Sequence, residues 1–142
     1  MAINGVLYDW ESVTIQLPSG VAVGVTSINY NDERGIEPRH GKGSVPRGYG
    51  RKNYKGGGNM ELDRDEYKTL QESLGGSVYK GAPFVVVVSY GDDDLPTVTD
   101  TLPAVKITKQ DTGASQDDDN AGGVKLDITC IAPIKWNGTP AL

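Results

Sequence analysis

Apolar and polar residues alternate with a period of two along most of this chain. In WESVTIQL (10–17), Val13, Ile15 and Leu17 share one side, the pattern of a half-buried strand. Pro18-Ser19-Gly20 supplies a turn, and VAVGVTSINY (21–30) resumes with Val21, Val23 and Val25 in alternation, so the two segments predict a hairpin. Gly24, inside the second segment, predicts a bulge or the close approach of another backbone. FVVVVSY (84–90) is a continuous β-branched run, the pattern of a central strand covered on both faces. GDDDLP (91–96) is a turn, and VTDTLPAVKIT (98–108) a further strand whose Pro103 requires an edge position or a bulge. In VKLDITCIAPI (124–134), Val124, Leu126, Ile128, Cys130, Ala132 and Ile134 point one way, and Lys125, Asp127 and Thr129 the other. That alternation makes Cys130 a small core residue. Asn137-Gly138 then reads as a turn.

The period changes once, in LDRDEYKTLQESLGG (62–76). Asp63 is an N-cap residue and Glu66, three positions on, completes a capping box. Leu62 and Tyr67 stand where a hydrophobic staple would, and Tyr67, Leu70 and Leu74 form an apolar stripe. Gly75-Gly76 provides a left-handed stop, so a helix of about three turns is expected at about 63–75. The pattern predicts one mainly β domain over 1–142, with six to eight strands, one helix and a long extended loop. Sheet edges in such a domain stay open to pairing with another chain.

Size and composition agree with one domain: 142 residues, 15.1 kDa and 37% apolar residues. No apolar run is long enough for a membrane helix and no charged-then-apolar leader opens the sequence, which leads us to expect folding in a cytoplasm. The single cysteine excludes an internal disulfide and a cysteine-cluster metal site. Charge changes the picture more. The net charge is −5, yet residues 39–55 carry six basic residues and no acid, leaving eight basic and 19 acidic residues, or −11, on the rest. An acidic body with a basic arm is electrically self-complementary, a property of association rather than of fold.

That arm, RHGKGSVPRGYGRKNYKGGGN (39–59), also holds seven of the 19 glycines. Arg39, Lys42, Arg47, Arg51, Lys52 and Lys55 interleave with Val45, Pro46, Tyr49 and Tyr54. Basic and aromatic residues so mixed suit nucleic-acid phosphates and bases, which keeps a nucleic-acid-binding module open as a reading beside a contact arm. The entropy of ordering so long a loop exceeds what four apolar side chains return on burial. On that comparison the arm is mobile in an isolated protomer and gains its shape from a neighbouring subunit.

Catalytic patterns are weak. His40 is the only histidine and lies in the arm, so a pair with Cys130 would need that arm held over an inward-facing strand residue. GKGS (41–44) fails the phosphate-loop pattern, because Gly43 follows Lys42 where Ser or Thr is required. Asp92, Asp93 and Asp94, and Asp117, Asp118 and Asp119, lack the spacing of a calcium loop and read as solvated turns. No catalytic, cofactor or metal site is expected.

SINYNDE (27–33), HGKGSVPRGYGRKNYKGGGNMELDRDEY (40–67), PTVTDTLPAVKITK (96–109) and VKLDITCIAPIKWNG (124–138) together resemble the tail tube proteins of contractile-tailed bacteriophages and prophages. The resemblance rests on G-K-G-x-x-P-x-G after the first hairpin, a glycine-rich return to M-x-L, and an acidic-capped helix with Glu66-Tyr67. It covers residues 3–140. It implies the fold of the haemolysin-coregulated tube proteins, two packed antiparallel sheets (a β-sandwich or barrel) with a flanking helix, and six copies closing into a ring whose strands line a channel. It also implies a loop, here 31–59, that reaches the adjacent ring. The implied partners are further copies of the chain, tail sheath, baseplate or initiator and terminator proteins. DNA or an effector would pass without specific binding, in a virion tail assembled in a bacterial cytoplasm. Charge complementarity then makes the arm residues the expected contact residues, with the two aspartate runs as acceptors.

Overall fold

The alternating segments pair into strands, and every pairing is antiparallel. The computed structural model describes residues 9–91, 96–114, 116 and 123–142. Among them are β1 (Val13–Leu17), β2 (Gly20–Ala22), β3 (Val25–His40), β4 (Pro46–Leu62), α1 (Arg64–Ser73), β5 (Phe84–Tyr90), β6 (Val98–Thr112), β7 (Val124–Cys130), β8 (Lys135–Trp136) and β9 (Thr139–Pro140). A short 3-10 turn, Trp10–Ser12, precedes β1. The strand order is β2-β1-β5-β6-β7-β4-β3, with β8 on β6 and β9 on β8.

The expected mainly β domain with one helix is present; among the described residues nine strands form one continuous antiparallel sheet, where two packed sheets of six to eight strands in all were expected. β6 is the reason. It pairs with β5 from Val98 to Val105 and with β7 from Val105 to Thr112, so one strand belongs to both halves. Its bulge against β5 falls between Leu102 and Val105, where Pro103 has no N–H to donate. The sheet then rolls over its own core. The hydroxyls of Tyr30 on β3 and Tyr90 on β5 meet at 2.7 Å, although four strand pairings separate them in the sheet. Ile15, Met60, Leu62, Val86, Val88, Leu102, Val105, Leu126 and Ile128 fill the inside of the roll.

Several inward and outward assignments change. The turn at Pro18-Ser19 pairs Leu17 with Gly20 and Gln16 with Val21. Directly opposed residues share a face, so Val21 lies beside exposed Gln16 and Ala22 points inward beside Ile15. Val21 and Val23 are therefore exposed, not core. β5 is covered on one face only: Phe84, Val86 and Val88 are buried while Val85 is 47% exposed. The alternation of β7 holds from Val124 to Ile128, but the strand ends at Cys130, which is half-buried at the rim of the core.

α1 packs Tyr67 and Leu70 inward. Asp63 is its N-cap, but the capping box does not form. The donor that Glu66 would accept, the Asp63 N–H, is taken at 2.8 Å by the Gly24 carbonyl. Gly24 lies between β2 and β3 rather than inside one strand, and what approaches it is the helix side chain: a Cβ there would lie 2.6 Å from the Glu66 Cβ. Burial raises the Glu66 carboxyl pKa, with Asp65 and Asp63 adding to the effect. The helix stops as expected: Gly76 N–H donates to Gln71 O and Gly75 N–H to Glu72 O, both glycines at positive φ. Asn137 (φ 49°) and Gly138 (φ 82°) form the two-residue turn joining β8 to β9.

Candidate functional site: a basic hairpin arm and its anchored base

β3 and β4 run far beyond the body. From Leu62 to Gly56, β4 lies between β3 and β7, and above Gly56 it pairs with β3 alone. The entry point is crowded backbone. A Cβ on Gly57 would come within 2.8 Å of Ile128 O, and one on Gly58 would overlap Asn29 O outright. Above it, the ladder from Glu33↔Lys55 to His40↔Pro46 forms a two-stranded arm about 27 Å long, at about 3.4 Å per residue.

The expected loop at 31–59 is thus a β-hairpin, and its shape does not wait for a neighbour. Cross-strand hydrogen bonds that the chain makes with itself along the whole arm offset the entropy of ordering it. What the arm lacks is cover. Residues 33–49 are all exposed, and Ile36, Val45 and Tyr49 stay 57%, 77% and 64% accessible. An isolated two-stranded ribbon of this kind is only marginally stable in water.

The arm's two faces differ. Ile36 pairs with Arg51 and Pro38 with Tyr49 on one face; Glu37 opposes Gly50 and Arg39 opposes Gly48 on the other. The glycines let basic side chains lie flat across the partner strand. A Cβ on Gly50 would meet Arg39 Nε at 3.2 Å, and one on Gly35 would meet Lys52 Cδ at 3.1 Å. Arg39, Lys42, Val45, Pro46, Arg47, Tyr49, Arg51, Lys52 and Lys55 are all exposed on this ribbon. Asp92, Asp93, Asp94, Asp117, Asp118 and Asp119 lie outside the described residues.

Tyr54 differs from the rest. It turns back into its own protomer, half-buried at the arm's base. Its hydroxyl donates to Asp32 Oδ2 at 2.8 Å and accepts from the Ile134 N–H at 3.0 Å. Trp136 Nε1 donates to the same Asp32 oxygen at 2.9 Å, and its ring meets Tyr30 at 5.4 Å between centroids. Tyr30 in turn donates to Asp100 Oδ2, and Asp100 Oδ1 accepts from the Asn137 N–H at 3.0 Å. Two carboxylates therefore tie the arm's base to the β8–β9 hairpin. Burial raises the pKa of Tyr30 far above the usual tyrosine value, reinforced by its bonds to Asp100 and Tyr90. Burial also raises that of Tyr54, opposed by the Ile134 N–H and assisted by Asp32. The Cys130 thiol is raised by burial and then by Asp32, so thiolate chemistry is disfavoured there.

This anchor was not anticipated from the sequence. One signal was available: in VTDTL, Asp100 shares its side of the strand with Leu102, which puts a carboxylate on the inward row. His40 and Cys130 are not brought together. His40 pairs with Pro46 at the arm's tip and Cys130 with Gly56 at its root, about 33 Å apart along β4. Among the described residues no group of three His, Cys, Asp or Glu side chains is placed to hold a metal ion.

No family model and no curated protein matches the sequence. Solved structures do match the fold. A type six secretion system protein superimposes with a TM-score of 0.54 at 11% identity, over 96% of this chain and 91% of its own. A chain of the six-fold symmetrised anti-feeding prophage baseplate gives 0.54 at 12%, covering 90% and 92%. A chain of the tube-terminating cap of the same prophage gives 0.54 at 7%, covering 92% and 90%. The chain has the tail-tube-like fold found in these secretion-system and prophage components.

Proposed function

We propose that this chain is a structural tail tube protein: six copies close into a ring, and rings stack head to tail into a hollow tube that conducts DNA or an effector. The observation that carries the reading is the exposed basic hairpin, projecting about 27 Å from a fold shared with secretion and prophage machines. A ribbon with +6 over residues 39–55, uncovered on both faces, fits a second copy whose remaining surface carries −11. Head-to-tail contacts of this kind do not close on themselves and so build a filament. The contact residues are the exposed arm residues from Arg39 to Lys55, with the aspartate runs at 92–94 and 117–119 as acceptors. Sheath, baseplate and terminator proteins are the further partners, and the virion tail is its place. The role is structural and not catalytic.

A second reading has its own support. Two of the similar structures are a baseplate chain and a tube-terminating cap chain, so a ring that begins or ends a tube is the alternative. Electron microscopy separates the two. Purified protein at high concentration and low salt gives tubes on the first reading, and rings that do not elongate on the second. Deleting Ile36–Arg51 leaves Gly35, Lys52 and Asn53 as a three-residue turn between the paired Arg34 and Tyr54, so the body keeps its fold. That variant should form no tubes; tubes of normal length would remove the arm from the assembly.

A further inference from the structure

The outer part of the arm is built as a thin cationic ribbon. Between Glu33 and Lys55 stand seven basic residues and two acids, and both acids, Glu33 and Glu37, precede Arg39. The face that holds Glu37 and Arg39 is largely glycine: Gly50 and Gly48 lie opposite them, and Gly35 comes two residues before. Basic side chains are spread over this bare backbone instead of standing off it. Arg39 Nε and Nη2 both lie 3.2 Å from where a Gly50 Cβ would be, and the Lys52 stem covers Gly35 at 3.1 Å. At the tip, a Cβ on Gly41 would overlap Arg47 Cδ. The cations thus follow the ribbon as a line, contributed by both strands, and add little to its thickness.

We propose that the free protomer binds duplex nucleic acid, the ribbon entering a groove with its basic side chains on the phosphates. Dimensions and charge select this ligand. Two paired strands are about 5 Å apart, and a major groove about 12 Å wide and about 8.5 Å deep admits a two-stranded ribbon. The arm's length of about 27 Å spans about eight base pairs at about 3.4 Å each, so cations from both strands meet a regular row of phosphates. The acidic body does not oppose this. The tip stands about three Debye lengths, of about 8 Å each, away from it, which screens the −11 carried outside residues 39–55. A protein surface that is merely acidic supplies the charge without the groove. Where rings stack, the same residues face the next copy, so duplex and neighbour compete for one ribbon; the binding itself does not depend on the tube reading.

Fluorescence anisotropy of a labelled mixed-sequence duplex of about 20 base pairs, titrated with protein from which any tubes have been sedimented, reads the binding. With about five phosphates neutralised, affinity should fall with salt at a log–log slope of about −4.5, a loss of about 500-fold from about 50 to about 200 mM. Arg39→Gln and Arg47→Gln should each weaken binding and flatten the slope by about 0.9, while Lys125→Gln on the body should change neither. Circular dichroism checks that each variant is folded. The Ile36–Arg51 deletion should not bind. Binding kept by that deletion, or no binding at the lower salt, would overturn the proposal. Tighter binding of a single strand of the same sequence would overturn the groove. Equal competition by polyglutamate would overturn nucleic acid as the ligand and assign the ribbon to acidic protein. None of these outcomes bears on the tube reading, which micrographs test separately.

Discussion

Replacing Tyr54 with Phe removes one oxygen that serves two partners at the root of the arm. The hydroxyl donates to Asp32 and accepts from the Ile134 N–H, and Ile134 is fully buried, so its amide is left without the hydroxyl that now pairs it. A hydrogen bond to a charged acceptor contributes about 1.5 kcal/mol or more, and a buried donor left unmade costs about 1–3 kcal/mol. Asp32 retains Trp136 Nε1, which limits the first loss. The expected destabilisation is about 3 kcal/mol. For 142 residues the entropy of unfolding is about 0.3 kcal/mol/K, so the midpoint should fall by about 10 °C. Urea unfolding followed by tryptophan fluorescence, read with calorimetry, gives the same quantity without relying on one probe. Trp136→Phe combined with Tyr54→Phe should be more damaging than the sum of the single changes, because each side chain alone still donates to the Asp32 oxygen that the double change strips of both donors. A loss under about 0.5 kcal/mol for Tyr54→Phe would refute the claim that this network fixes the arm's base.

Other outcomes follow from the same geometry. Tyr30 keeps its proton in the folded chain to a higher pH than in the unfolded one, so its contribution to stability is intact below the ordinary tyrosine value near 10 and declines above it. Denaturation midpoints measured from pH 8 to 11 should therefore drop only at the top of that range, and Tyr30→Phe should flatten part of the drop. Glu66→Gln should be neutral or stabilising at pH 7, since burial beside Gly24 already disfavours the charged carboxylate; clear destabilisation in a thermal melt would contradict this. Gly58→Ala should fail to give native protein, whereas Gly48→Ala, with open space at its Cβ, should fold normally by circular dichroism. Tube yield should fall as salt is raised from low to physiological strength, because arm charges are fully exposed; salt-independent yield would argue against a charge-guided joint.

Elements written in local sequence were legible. Gly75-Gly76 is a helix stop because left-handed backbone favours glycine, and Asn137-Gly138 is a turn for a related reason. The alternation of Val124, Leu126 and Ile128 survives because that strand has neighbours on both sides. Val21 faces outward, against its alternation with Val23 and Val25, because the parity of a short hairpin is set by its turn, and one residue of slip exchanges the two faces. Asp63 and Glu66 have the spacing of a capping box, but Gly24, some forty positions earlier, takes the donor. The same remoteness hides the anchor: Asp32 and Trp136 are 104 positions apart, Tyr54 and Ile134 80. The arm's residues were picked out by charge and glycine content, yet its form was not, because pairing between Ile36 and Arg51 is invisible to any count of side-chain burial.

The place where β4 parts from β7 has a mechanical meaning. Below Gly56 the strand is clamped on both edges, and above it on one, so bending concentrates at the step between Lys55 and Gly56. Tyr54 and Asp32 stand at that step like a guy-rope fixed to the C-terminal hairpin. A lever about 27 Å long turns a rotation of about 10° at its pivot into a displacement of about 5 Å at its end. Slackening a single hydroxyl at the fulcrum would therefore blur where Lys42 and Arg47 land far more than it would disturb the domain that holds them.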